Sequence, residues 1–301
     1  MNSPPEISVV IPVFNRAWSI ARAVRSVLGQ SFADFELLIV DDGSSDDLEG
    51  ALQPFADARL RVLRHERNRG AAAARNTGIR ASRGEAIAFL DSDDEWLPAK
   101  LERQRALLAA SGESRSLALC GYTLSRDQGT EAEARPLLEP EDWYLRLLLA
   151  CNVSFGSCAL VRRRAFEELG AFDEAMPRLE DWDWLLRYAA KRPIASTSEP
   201  LAVVHPGRAW PSVAAVNASV AAIWERHRQA AGRHSRRAQR LLRSTIWYER
   251  GVAYYHHGRA LEAAWCLGRS LLVYPARGRG LYHSLARRRG LALGLEARPP
   301  R

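Results

Sequence analysis

The sequence predicts an α/β fold, a mostly parallel sheet flanked by helices, followed by an all-α extension. Three observations predict it. Short apolar runs alternate with segments of helical spacing through residue 90, the pattern of right-handed βαβ units. Each apolar run ends in a polar cluster, and ligands of open parallel sheets bind beyond the C-terminal strand ends. Charge also divides the chain: residues 207–301 hold 18 Arg and 4 Glu without Lys or Asp, a balance of +14, which leaves −6 on residues 1–206 out of a total of +8. An acidic body joined to a basic tail marks two regions, 1–206 and 207–301.

The elements follow in order. Ile7 to Phe14 is almost continuously apolar, as expected of a strand covered on both faces. Residues 18–29 have helical spacing through Trp18, Ile20, Ala21, Val24, Val27 and Leu28. Residues 35–41 form a second buried strand, 46–56 a helix, 60–64 an extended segment, 70–82 a helix and 85–90 a fourth strand. Pro98 opens a helix at 98–111, and 116–123 is a further strand. Residues 125–140, rich in Arg, Glu and Pro, read as an exposed loop. Then come a helix at 141–150, a strand at 156–162, helices at 163–169 and 182–191, and a short strand at 201–204. Beyond Pro206 the spacing is helical.

Composition narrows the function. The length of 301 residues and 47% apolar content suit a folded core. The polar start, Met1 to Glu6, predicts no secretory signal. The most apolar stretch, 143–161, carries Arg146, Asn152, Ser154 and Ser157, which argues against a membrane span. Cys120, Cys151, Cys158 and Cys266 lack metal-ligand spacing and read as free thiols of a reducing cytoplasm. No Gly-x-Gly-x-x-Gly follows the first strand, which counts against a dinucleotide enzyme.

The most informative segment is Ala86-Ile-Ala-Phe-Leu-Asp91-Ser92-Asp93-Asp94. An apolar strand stops at three carboxylates whose charges repel. A hard divalent ion with oxygen ligands, itself holding phosphates, compensates such a cluster. The plainer alternative is a solvated acidic loop, and Asp94 fits a turn cap as well as a ligand. Asn15 and Arg16 follow the first strand, and Asp41 to Asp46 follow the second. Of these, Asp46 suits a cap better than Asp42.

The first 206 residues resemble family 2 glycosyltransferases of the GT-A fold. The resemblance is carried by Ile7-Ser-Val-Val-Ile-Pro-Val-Phe-Asn15, Ser26-Val-Leu-Gly-Gln-Ser-Phe32 and Phe35-Glu-Leu-Leu-Ile-Val-Asp-Asp-Gly-Ser-Ser-Asp46. It continues in Asn68-Arg-Gly-Ala-Ala-Ala-Ala-Arg-Asn-Thr-Gly78, Asp91-Ser-Asp-Asp-Glu-Trp-Leu-Pro98 and Glu180-Asp-Trp-Asp183. It implies a nucleotide-diphosphate-sugar transferase that inverts the anomeric carbon, moving a hexosyl-type sugar from a UDP- or dTDP-type donor to a hydroxyl of a glycan or glycolipid in cell-surface polysaccharide synthesis. The implied cofactor is a divalent metal, Mn2+ or Mg2+, touched by Asp93, with Asp91 nearer the donor ribose or sugar and also a metal ligand. Ser92 lies in the same donor motif. The resemblance puts Asp42 on the base, Pro12, Phe14 and Asn15 around it, and Arg75 near the base or diphosphate. It assigns Asp181 as general base with Glu180 and Asp183 as supports, and His205 as completing the metal shell. Read without it, Arg75 is a solvated surface residue, and the acidic run is a helix N-terminus stabilised by the macrodipole. Trp182 and Trp184 suit either an acceptor shelf or the core. Gly156-Ser157 resembles the acceptor-side loop. Relatives carry Tyr-Arg ahead of the His, where this chain has Ala202-Val203, so the local donor-phosphate contacts differ.

In the tail, Trp247-x-x-Arg250-Gly251-x-x-Tyr254, Gly258, Ala263 and Pro275 resemble one tetratricopeptide repeat, a hairpin at about 244–277. One repeat cannot bury its apolar face alone. Residues 278–293 mix Leu281, Leu285 and Leu291 with arginines, which suits an anionic membrane surface at the inner face of the cytoplasmic membrane or a solvated basic face. No nucleic-acid motif accompanies the charge, and the sequence sets no oligomeric state. Two other readings compete. In a haloacid-dehalogenase-type phosphohydrolase, Asp91 would be nucleophile and Asp93 acid–base, but that motif opens its fold and is followed by Thr or Val rather than Asp94-Glu95. In a non-catalytic scaffold, the tail would be the working part.

Overall fold

Strand β1 (Ile7–Val13) is buried at every position except the half-buried Pro12, because the sheet is covered on both faces. It lies between β2 (Phe35–Asp41) and β4 (Ala86–Phe89), and β3 (Leu60–Arg64) flanks β2, all four parallel. Alternate side chains serve opposite faces. Ile7, Val9 and Ile11 join a core with Ile20, Val24 and Val27 of α1 (Ala17–Leu28) and with Leu101 and Leu108 of α4 (Lys100–Ala110). Val10 faces α3 (Ala71–Ala81), where a Cβ on Gly78 would lie 2.3 Å from a Val10 methyl. Glycine at 78 therefore sets how closely this helix approaches the sheet.

The computed structural model describes residues 3–125, 133–135, 137, 139–150, 153–205 and 210–277. Beyond β4 the sheet mixes directions. β8 (Ala159–Arg162) pairs antiparallel with β4, and β6 (Leu117–Leu124) pairs antiparallel with β8. β9 (Ala195–Val204) runs parallel to β6, and the two-residue β5 (Glu95–Trp96) runs antiparallel to β9. The strand order is β3-β2-β1-β4-β8-β6-β9-β5. The parallel half matches the sequence reading; β8 falls within the strand expected at 156–162, but its antiparallel direction was not legible.

Several boundaries differ from the sequence reading. The helix expected at 46–56 is α2 (Leu48–Leu52), capped by Asp47, whose carboxylate accepts from the Gly50 amide at 2.9 Å; Pro54 disfavours continuation. The segment expected as a strand from 156 begins instead with one helical turn, α6 (Phe155–Cys158), after Ser154 turns the chain at φ +44°. Residues 133–135, inside the expected loop, form β7 (Glu133–Arg135) against β6. The last strand starts at 195 rather than 201. Helices α5 (Trp143–Leu149) and α7 (Arg163–Leu169) lie where expected. Helix α8 (Glu180–Ala189) begins two residues earlier than expected, so the acidic motif is its first turn.

The chain divides into two units, one reaching Pro211 and one starting at Ser212. The second contains α9 (Val213–His234), α10 (Arg236–His256) and α11 (Ala260–Val273). Ser212 and Ser235 cap α9 and α10 by accepting from Ala215 and Ala238. The spacing that resembles a tetratricopeptide repeat falls on α10 and α11. These run antiparallel, with Ser244 bonded to Ser270 at 2.9 Å. A Cβ on Gly251 would meet Leu267 at 2.8 Å, so glycine there permits the close pairing.

Candidate active site

The C-terminal ends of β1, β2 and β4 open onto a cavity of about 290 Å³. Pro12, Phe14, Asp42, Arg75, Asp91, Ser92 and Asp93 all line it. Phe14 is 42% exposed, which leaves its face free for stacking. Asn15 does not line the cavity. It sits at φ +51°, and its side-chain oxygen accepts from the Ser45 amide at 2.8 Å, fastening the end of β1 to the loop after β2. In the same loop Asp46 caps α1, accepting from the Ala17 amide at 2.7 Å.

Asp42 is buried and heavily engaged. Its Oδ1 accepts from the Arg69 amide at 2.9 Å and lies 2.7 Å from His65 Nδ1, and its Oδ2 accepts from the Gly70 amide at 2.7 Å. The far side of His65 lies 2.9 Å from the Thr77 hydroxyl. Asp42 thus holds the start of α3 in place and keeps acceptor capacity only on Oδ2.

Arg75 departs from the expectation of a solvated surface residue. It is buried, not solvated. Its guanidinium donates to Asp91 Oδ1 at 2.7 Å and to Glu180 Oε1 at 2.5 Å. Burial alone would lower its pKa, but the Asp91 and Glu180 charges outweigh that and raise it. One side chain therefore joins the end of β4 to the first turn of α8.

The Asp91 carboxylate lies against the backbone of α6. A Cβ on Gly156 would fall 2.4 Å from Asp91 Oδ2, so glycine makes room for the carboxylate. The Asp91 amide donates to Ser157 Oγ at 3.2 Å, and that hydroxyl donates to Asp94 at 2.5 Å. Asp94 is buried and also accepts from the His205 amide at 2.8 Å. It is a tie between α6 and β9, neither a cavity carboxylate nor a turn cap. Burial, then the Asp91 charge, pushes its pKa up to about 8. Burial and the Asp91 charge likewise raise the pKa of Asp93, whose carboxylate lies 3.8 Å from Arg16 and whose backbone carbonyl accepts from Arg22.

Among the described residues, no group of three or more His, Cys, Asp and Glu side chains is arranged to hold a metal ion. The His205 ring lies 3.0 Å from Glu95 Oε1. Asp91 and Asp93 line the cavity as oxygen donors, together with Asp42 and Ser92.

On the acceptor side, the three acidic residues part company. Glu180 binds Arg75. Asp183 is fully buried and pairs with Arg187 at 3.0 Å, whose guanidinium reaches the Leu169, Gly170 and Ala171 carbonyls. Through Arg187 it holds the 169–171 turn against α8. Asp181 is half-buried and accepts from the Trp182 amide at 2.8 Å. Burial, then the Glu180 charge, raises its pKa to about 6. Trp182 and Trp184 are both core, donating to the Leu147 and Gly170 carbonyls, so neither is an acceptor shelf. Asn68, Gly70, Ala71 and Ala74 also line the cavity; the conspicuous Asn-Arg-Gly-Ala run was the signal for them. His65 had no signal, since its partner Asp42 lies 23 residues away. The thiols of Cys120, Cys158 and Cys266 are free and buried; Cys151 lies outside the described residues.

A family model, Glycosyl transferase family 2, matches residues 8–170, more than half of the chain. The chain is 42% identical over 102 residues to the UDP-Glc:alpha-D-GlcNAc-diphosphoundecaprenol beta-1,3-glucosyltransferase WfgD of Escherichia coli, covering 34% of this chain and 40% of that protein. The match therefore spans less than half the length of that relative. Among solved structures, S. aureus TarS 1-349 in complex with UDP-GlcNAc superposes with a TM-score of 0.59 at 15% identity, covering 91% of this chain and 92% of that one. The mannosyltransferase PcManGT from Pyrobaculum calidifontis, in complex with GDP-Man and Mn2+, gives a TM-score of 0.53 at 20% identity, covering 97% and 81%. At these identities the structural likeness is one of fold.

Proposed function

The chain belongs to glycosyl transferase family 2, and on that premise we propose that it is an inverting glycosyltransferase. It moves a sugar from a uridine or thymidine diphosphate donor to a hydroxyl of a glycan or glycolipid in cell-surface polysaccharide synthesis. The observation that carries the reading is Arg75. One buried guanidinium bonds Asp91 on the donor wall and Glu180, the neighbour of the candidate base. Family membership displaces the phosphohydrolase and scaffold readings.

In this reading the base lies against Phe14 and Pro12, and the diphosphate lies toward Asp91, Ser92 and Asp93. The acceptor oxygen attacks the anomeric carbon as the carbon–diphosphate bond breaks on the opposite face. The nucleoside diphosphate leaves with the bonding electrons, and configuration inverts. The acceptor's proton passes to the Asp181 carboxylate. With a pKa of about 6, Asp181 is ionised near neutral pH yet basic enough to accept a proton in the transition state. Arg75 holds Asp91 in its rotamer, and Glu180 holds Arg75, so the donor wall and the base move as one body.

Asp91 and Asp93 fit a divalent ion. They are hard oxygen donors in one cavity, and their charges disfavour one another without a cation. Mn2+ or Mg2+ bound there would neutralise charge on the departing diphosphate. His205 does not belong to this set in the observed rotamer.

No helix among the described residues is long and apolar enough to cross a membrane. The proposed place of action is the cytoplasmic side of the membrane. Residues 278–301, the expected membrane-binding tail, lie outside the described residues. The test is a panel of UDP-, dTDP- and GDP-sugars, with and without Mn2+, scored by melting temperature and then by transfer. A uridine or thymidine sugar that stabilises the chain only with metal supports the reading. Absence of any nucleotide-sugar response rejects it.

A further inference from the structure

Helix α11 buries Ala263, Cys266 and Ser270 on its inner side. Its outer side presents Leu261, Trp265 and Leu272, exposed by 86%, 58% and 79%. The spacing places all three on one stripe of the helix. Gly268 continues the stripe, with nothing within 4 Å of where its Cβ would be. Exposed leucines are ordinary singly, but an apolar stripe along a helix marks a docking surface.

The surroundings of the stripe select its occupant. The described helices, 212–277, carry 11 Arg and 3 Glu. Glu262, the acid nearest the stripe, is already paired to Arg259. The Arg269 guanidinium lies 5.5 Å from the centre of the Trp265 ring and 5.4 Å from that of Trp247. A second copy of the chain would bring two such basic surfaces face to face, and like charges across an interface are costly. An anionic lipid surface has the complementary charge. Leucines and a tryptophan on one helix face enter the boundary between headgroups and acyl chains, while arginines reach back to phosphate.

We propose that the outer face of α11 docks onto an anionic membrane surface. None of these residues lines the donor cavity, so the proposal does not depend on the transfer reading. It also uses residues distinct from the 278–301 tail.

The test is co-sedimentation of the full chain with vesicles of phosphatidylglycerol and phosphatidylcholine, against phosphatidylcholine alone. Wild type pellets with the anionic vesicles only, and high salt weakens the binding. L261E/L272E lowers the partition by about tenfold or more. Both positions are largely exposed, so its helix content and melting temperature match wild type. W265F serves as the mild second variant and loses the lipid-induced blue shift of tryptophan emission. Three results overturn the proposal: L261E/L272E pelleting like wild type, wild type failing to pellet with anionic vesicles, or a lipid-free wild-type dimer that L261E/L272E converts to monomer. The last would assign the stripe to a second copy.

Discussion

Strands β1, β2 and β4 each deliver a cavity side chain within a few residues of their ends, whereas Glu180 reaches its partner Arg75 from 105 residues further along the chain. The donor wall follows from parallel strands, whose C-termini share one edge of the sheet. The acceptor wall is assembled through the antiparallel β8, the turn α6 and the start of α8, by bonds such as Ser157 to Asp94, Asp94 to His205 and Arg75 to Glu180. Loss of the donor-wall carboxylate Asp93 should therefore cost chemistry alone. Damage to the acceptor wall should cost chemistry and architecture together.

The largest expected effect tests the donor wall. Asp93→Ala abolishes transfer and weakens nucleoside diphosphate binding only when Mn2+ is present. Calorimetry with and without the metal checks this; equal affinity in mutant and wild type would remove Asp93 from the metal.

The acceptor wall is tested next by Asp181→Asn. The rate falls by about two to four powers of ten while donor affinity holds. In wild type the rate rises with pH up to about 6 and is flat above it, and the mutant lacks that limb. Stability moves the opposite way. A carboxyl whose folded pKa is raised stabilises the fold while protonated, and that contribution is lost as pH rises through about 6. Near neutral pH the uncharged Asn therefore melts higher than wild type. A mutant that turns over an authentic acceptor at the wild-type rate rejects the assignment.

Gly156→Ala tests the junction of the two walls. The new Cβ would lie 2.4 Å from Asp91 Oδ2, so Asp91 must give up its bond to Arg75. The expected loss is ~1–3 kcal/mol of stability, together with weaker donor binding. Denaturant melts and calorimetry read both; an unchanged donor affinity would show that Asp91 needs no fixed rotamer.

The smallest effect is expected from His205→Gln. With its ring on Glu95, donor affinity changes by no more than about fivefold, the range of a surface ion pair. A loss as large as that of Asp93→Ala would show that the ring swings to the metal.

The sequence by itself determined the alternation of strands and helices, the parallel half of the sheet, the carboxylates at the end of β4 and the basic helical extension. These rest on local patterns, since an apolar run, a cap or a strand-end cluster is written in consecutive residues. Tertiary structure alone decided that Arg75 is buried between Asp91 and Glu180, that Asp42 also bonds His65 and the start of α3, that Asp183 pairs with Arg187, and that the His205 ring lies against Glu95. It also decided that 155–158 wraps into a turn beneath Asp91. Each of those outcomes depends on a partner distant in sequence. Charge type and spacing state that a side chain needs a partner; only packing fixes which of several carboxylates or cations comes within hydrogen-bonding distance.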